Sequence, residues 1–194
     1  MNINNVTIVG LGYVGFSLSV LIAQKYSVIG LDTNQKKVNL INKRISPILD
    51  NDINEYLSKK NLLLEATTDS RYAYKNADVI IIAVPTNYSE ETGEFNTKIV
   101  ETTIDNVLEI NKKCTIIIKS TVPIGFTEKI RKRVAYSDIF FSPEFLREGN
   151  SLHDNLHPSR IIVGGKSSNA FEFGELLKSF SLKKTTPVIY ISST

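Results

Sequence analysis

Residues 4–32 read NNVTIVGLGYVGFSLSVLIAQKYSVIGLD. Val6 to Val9 is an apolar run that predicts a buried first strand. Gly10, Gly12 and Gly15 follow in the spacing G-x-G-x-x-G, and Val14, Leu18, Leu21 and Ile22 then recur at helical spacing. A second apolar run, Val28 to Leu31, ends in Asp32. Each glycine has a physical task. Gly10 permits the tight strand-to-helix turn, Gly12 lets a pyrophosphate approach the backbone, and Gly15 lets the helix pack closely on the sheet. The N–H groups at the helix start then face an anion. Asp32 is placed to accept hydrogen bonds from both hydroxyls of an adenosine ribose. Between a strand and a helix, and followed by a strand-terminal acid, these glycines predict a dinucleotide-binding βαβ unit. No arginine follows Asp32 directly, and a 2′-phosphate would meet its carboxylate, so NAD is expected rather than NADP.

The bulk composition sets the class. The 194 residues are 42% hydrophobic and 22% charged, which is ordinary for a globular domain with a core of its own. The net charge of +3 is spread along the chain, and no basic block exceeds Lys36-Lys37 or Arg131 to Arg133, so nucleic acid is not an expected partner. The start, MNINNVTIVG, lacks the basic-then-apolar order of a signal peptide. No apolar run approaches the ~20 residues that span a bilayer. One cysteine, Cys114, excludes an internal disulfide, and a reducing cytoplasm is the expected location.

Further along, 34–42 predicts a helix with Val38 and Ile41 inward, and Lys37 falls near the adenosine end of the cofactor site or is simply a solvated lysine. A turn at Pro47 precedes a short helix from Asp52. Strands are expected at 62–66, 78–84, 115–119 and 139–141, with helices at 72–76, 97–111 and 126–134. The run DVIIIAV at 78–84 has no polar alternation, as in a parallel strand buried on both faces. The stretch 89–96, SEETGEFN, reads as an exposed, mobile loop. A strand at 160–163, a helix at 170–180 and a last strand at 188–191 follow. Ser192-Ser193-Thr194 are helix-cap residue types with no helix after them, so the end reads as a cut. The fold class is α/β: a doubly wound, mainly parallel Rossmann-type sheet with helices on both faces.

In such a sheet the ligand lies beyond the carboxyl ends of the strands. Thr86, Thr121 and Glu144 each follow a strand end there, and this convergence locates the expected site. His153 and His157 stand four apart, but Pro158 holds His157 extended and nothing completes a ligand set, so no metal is expected.

GLGYVG, VPTNY, KSTVPIGFT, SPEFLREG and HPSRIIVG, in that order, resemble the nucleotide-sugar dehydrogenase family, nearest its bacterial UDP-glucose 6-dehydrogenases. The likeness covers nearly the whole chain. It departs where VPTNY lacks the second proline of the commoner P-T-P form, which suggests a subgroup. The resemblance implies two NAD-dependent oxidations at a sugar C6, with UDP-glucose as substrate. UDP-N-acetylmannosamine or GDP-mannose dehydrogenase, or a non-catalytic NAD-binding module, are the competing readings. It implies that Tyr13, Val14, Asp32, Lys37, Thr86 and Thr121 contact NAD beside the glycine loop. Glu144, Phe145, Leu146, Arg147 and Glu148 would line the sugar-nucleotide site, with Glu148 also near the nicotinamide. Thr121, Glu144 and Glu148 form the catalytic set, Thr121 and Glu144 assisting proton transfer through an ordered water. Each has a plainer use: Thr121 caps a helix, Glu144 holds its loop, Arg147 pairs with an acid. By the same resemblance residues 1–194 are one NAD-binding domain. The central helix, the sugar-binding domain and the nucleophilic cysteine lie further along, and the complete protein is a homodimer while this piece alone is monomeric. Cys114, ahead of an apolar strand, reads as a core or edge residue.

Overall fold

A computed structural model describes residues 3–90 and 93–192. Positions 91–92 of the expected loop and the cap-type residues 193–194 lie outside the described residues. The chain opens with β1 (Asn5–Val9), α1 (Tyr13–Ile22) and β2 (Ser27–Leu31). Then come α2 (Gln35–Asn42), α3 (Asn51–Lys59), β3 (Leu64–Thr67), α4 (Ser70–Tyr74) and β4 (Val79–Ile82). A two-residue pair, β5 (Tyr88–Ser89) and β6 (Glu94–Phe95), precedes α5 (Lys98–Ile110), β7 (Thr115–Ile118), α6 (Phe126–Val134) and β8 (Ile139–Phe141). The chain closes with α7 (Ser151–Leu156), β9 (Ile161–Val163), α8 (Ser168–Lys178) and β10 (Val188–Tyr190).

Six strands form one sheet in the order β3-β2-β1-β4-β7-β8, and every pair in it is parallel. The chain starts in the middle, winds outward to β3, then returns to β4 and winds the other way, which is the doubly wound order. Neighbouring residues of one strand serve opposite cores. Val79 and Ile81 join the core under α1, α3, α7 and α8, while Ile80 and Ile82 join the core under α4, α5 and α6. All four residues of β4 are buried, so the unbroken apolar run records a strand covered on both faces. Side chains supply the helix starts that the backbone leaves open: Asn34, Asp50, Asp69 and Ser167 each accept an N–H from the first turn of α2, α3, α4 and α8.

Three features add to the sequence reading. The stretch expected as an exposed loop, 89–96, overlaps the antiparallel pair β5–β6, joined by the Tyr88 and Phe95 rings at 5.2 Å between centroids. The strands read at 160–163 and 188–191 are present as β9 and β10; they pair with each other in parallel, as a second small sheet tied to β8 by a Phe141–Gly164 bridge. Finally, 151–156 is a helix that no periodicity announced. It ends at His157, whose ring stacks on His153 at 4.3 Å. Among the described residues no group of three His, Cys, Asp or Glu side chains is arranged to hold a metal ion, and no helix is long and apolar enough to cross a membrane.

Candidate functional site

At the carboxyl edge of the sheet the glycine loop does what its spacing requires. Gly10 sits at φ +89, and a Cβ there would lie 2.6 Å from the Ala83 carbonyl oxygen. A Cβ on Gly15 would collide with the Gly10 carbonyl oxygen. Around Gly12, by contrast, nothing lies within 4 Å of where a Cβ would point. Gly12 is also the N-cap of α1. No side chain caps that helix and no acidic residue lies in its first turn. An uncapped, positively polarised helix start behind an open glycine is a place for a phosphate.

Beside it opens a cleft of about 360 Å³, lined by Gly12, Tyr13 and Val14, by Ala83 to Asn87 after β4, by Lys119 to Thr121 after β7, and by Glu144 and Glu148 after β8. Thr86, Thr121, Glu144 and Glu148, which the sequence placed on three loops, therefore face one space. The stretch 144–148, read as one lining, divides. Glu148 faces this cleft, Phe145, Leu146 and Arg147 face a second cavity of about 240 Å³ that also touches α1, and Glu144 borders both.

Asp32 stands at the end of β2, one strand over. Its Oδ2 accepts the Leu11 N–H at 2.9 Å and the Lys37 ammonium at 2.8 Å, and its Oδ1 accepts the Asn34 N–H at 2.9 Å. Burial alone would push the carboxyl up; the Lys37 hydrogen bond and the two backbone donors outweigh it and hold the group below the usual carboxylate range. Lys37 is thus an ion-pair partner and not a free surface lysine. Oδ2 thus carries two donors and Oδ1 one, so these three bonds take up part of the carboxylate's acceptor capacity.

The side chains after β7 and β8 differ in what they hold. Thr121 does not cap α6, whose N-cap is Gly125 at φ 79. Glu144 does hold its loop: its Oε2 accepts the Leu146 N–H at 2.7 Å. Arg147 forms a forked pair with Asp154, Nε to Oδ2 at 3.1 Å and Nη2 to Oδ1 at 2.6 Å. The Arg147 guanidinium holds the Asp154 carboxyl at about 2. Cys114 is buried, and burial pushes its thiol up to about 12.

Sequence reasoning missed Lys119. It borders both cavities and is only 8% exposed. A lysine closing the apolar run TIIIK reads as a solvated strand end; the one clue was that Ser-Thr-Val-Pro follows at once, on the edge that carries the site.

The glycine loop, the uncapped α1 start and Asp32 at the end of β2 fit an NAD molecule, by the donors and the open space that they supply. Comparison with known proteins agrees. Residues 4–180 match the UDP-glucose/GDP-mannose dehydrogenase family, NAD binding domain. UDP-glucose 6-dehydrogenase of Streptococcus pneumoniae is 44% identical over 193 residues, covering 96% of this chain and 49% of that protein. The Campylobacter jejuni UDP-glucose 6-dehydrogenase is 41% identical over 97% of this chain and 48% of its own length. Among solved structures, a UDP-glucose dehydrogenase from Pyrobaculum islandicum superposes with a TM-score of 0.84 at 26% identity, over 99% of this chain and 47% of that one. The chain spans about half the length of the curated relatives it matches. The family match spans nearly all of its residues, and the chain belongs to the UDP-glucose/GDP-mannose dehydrogenase family, as its NAD-binding domain.

Proposed function

We propose that this chain is the cofactor-binding half of an oxidoreductase that converts the C6 alcohol of UDP-glucose to a carboxylate, using two NAD. NAD, when bound, accepts the hydride. The protein's own residues bind, orient and manage protons. Backbone N–H groups at Gly12, Tyr13 and Val14 take the pyrophosphate, Asp32 and Lys37 share the adenosine ribose, and Thr86 and Thr121 border the remaining length. Glu144 and Glu148 stand where the sugar carbon must come. Oxidising an alcohol releases a proton as well as a hydride, and a hydroxyl beside a carboxylate can order the water that takes it. Positioned proton transfer of this kind is typically worth ~10²–10⁴-fold. The observation that carries the reading is the single cleft joining the α1 N-terminus to the ends of β4, β7 and β8.

The nucleophile of the second oxidation belongs to the remainder of the protein, with the central helix and the sugar-binding domain. Cys114 does not serve in its place, because burial pushes its thiol up to about 12 and leaves no thiolate near neutrality. The complete protein is a homodimer on this reading. The 194-residue chain is therefore expected to bind NAD and to turn over no UDP-glucose. Calorimetry with NAD and an NADH-absorbance assay with UDP-glucose check the two halves. Absence of NAD binding would remove the first, and turnover clearly above a protein-free control the second.

A further inference from the structure

We propose that Lys119 is a positioning residue for the reaction, its ammonium tying the end of β7 to the start of the loop after β8 and so setting Glu144 at the border of the two cavities. The inference rests on the reading of the cleft as the place of oxidation and names a residue that reading does not use.

Three strand ends carry Thr86, Thr121 and Glu144, and two adjacent buried side chains hold them together. Ser120 Oγ donates to the Val84 carbonyl at 2.7 Å, joining the end of β7 to that of β4. Lys119 Nζ donates to Ser142 Oγ at 3.1 Å and to the Pro143 carbonyl at 3.3 Å, joining it to that of β8. The Lys119 and Ser120 pair thus staples the floor of the cleft in both directions. Ser142 and Pro143 lead directly into Glu144. The Lys119 half of the staple is chemically unusual. Both of its hydrogen-bonded acceptors are neutral, and among the described residues it has no ion pair. Burying an ammonium on two neutral acceptors is costly; a neutral donor would serve if only a tie were needed. Burial pulls the group down to about 8, and Glu144 is the nearby charge that pulls it back up. The ammonium therefore senses the carboxylate that its own hydrogen bonds help to place. The other titratable or charged groups around the two cavities are Tyr13 on α1, Arg147 and Glu148 on the loop, Asp154 and His157 at α7, and Arg160, which lies over the Phe145 ring at 4.6 Å.

Two measurements test this. In the 194-residue chain, the Lys119 side-chain NMR signal is followed against pH with and without Glu144→Gln. The midpoint is expected to fall by at least about half a pH unit in the variant, roughly threefold in proton affinity. An unchanged midpoint would show that the ammonium does not sense Glu144 and would overturn the proposal. In the full-length protein, Lys119→Met is expected to lower kcat at least ~10-fold while KM for NAD stays within about twofold, and Lys119→Arg to recover part of the loss. Unaltered kcat in Lys119→Met would equally overturn it. If wild-type protein neither binds NAD nor oxidises UDP-glucose, the functional reading fails by itself, and the titration arm still decides whether Lys119 and Glu144 are coupled.

Discussion

At Asp32, three donors meet one carboxylate before any ligand arrives, and Lys37 is the only one of them that can leave. NAD is expected to bind at least tenfold more tightly than NADP, about 1.4 kcal/mol, because a 2′-phosphate would crowd a carboxylate that stays ionised. Asp32→Ala should weaken NAD binding and also free the Lys37 ammonium, which favours a phosphate. The preference should then shrink or reverse, and an unchanged NAD-to-NADP ratio in paired calorimetric titrations would refute the argument. The place of Asp32 at the end of β2 was legible in the sequence because the apolar run Val28 to Leu31 stops there. Its pairing with Lys37 was not, since a helix lysine five residues on is equally at home in water. Lys119 shows the opposite failure: only the end of β8, brought alongside by the sheet order, buries it. That burial has a pH signature. The unfolded chain keeps the Lys119 proton up to 10.5, the folded chain only to about 8. Between those values the unfolded state binds more protons, so this group's contribution makes stability rise with pH, and below about 8 its full penalty applies. Lys119→Met removes a penalty of up to about 3 kcal/mol and orphans two acceptors at about 1 kcal/mol each. Urea denaturation should find the variant at least as stable as wild type at pH 7, the difference closing above pH 8 and reversing in favour of wild type towards pH 10.5. Parallel stability curves for the two proteins would contradict the burial argument.

Helix α7 is six residues long and has no side-chain cap of its own. Its start is held from elsewhere. Asp50, the N-cap of α3, takes the Ile53 N–H on Oδ1 at 3.1 Å, and on Oδ2 the Ser151 hydroxyl at 2.8 Å and the Leu152 N–H at 3.2 Å. One buried carboxylate thus caps two helices whose sequences lie about a hundred residues apart. Asp50→Asn keeps shape but turns one acceptor into a donor facing two donors. The expected loss is about 1–3 kcal/mol, seen as a lower urea midpoint with an unchanged slope. An unchanged midpoint would mean that α7 is held by packing alone. Long-range capping also explains why α7 escaped the sequence reading, whereas α6, with Phe126, Ile130 and Val134 at helical spacing and a basic last turn, was found at 126–134. β9 and β10 were legible as strands, because apolar β-branched runs declare themselves. Their separation from the main sheet was not, because strand partnership is a tertiary fact.

Across the whole molecule the sheet divides the interior into two cores, and Cys114 lies in the one beneath α4, α5 and α6. It is the single thiol of the chain. Burial pushes it up to about 12, so a disulfide reagent should leave the native protein unmodified and modify one group per chain in denaturant. Native labelling at the rate of an exposed cysteine would contradict a closed second core. That two such cores exist was readable from DVIIIAV and TIIIK; which helices cover which face had to come from the winding. The strand order has a consequence in time. β1 is made early yet occupies the centre, with β2 on one edge and β4 on the other. At ~5–20 residues per second, ribosomes need several seconds to make residues 10 to 78. Through that interval, the side of β1 destined for Val79 to Ile82 is an open row of peptide groups on an apolar strand, and the nascent chain carries its stickiest edge until the second half of the sheet emerges.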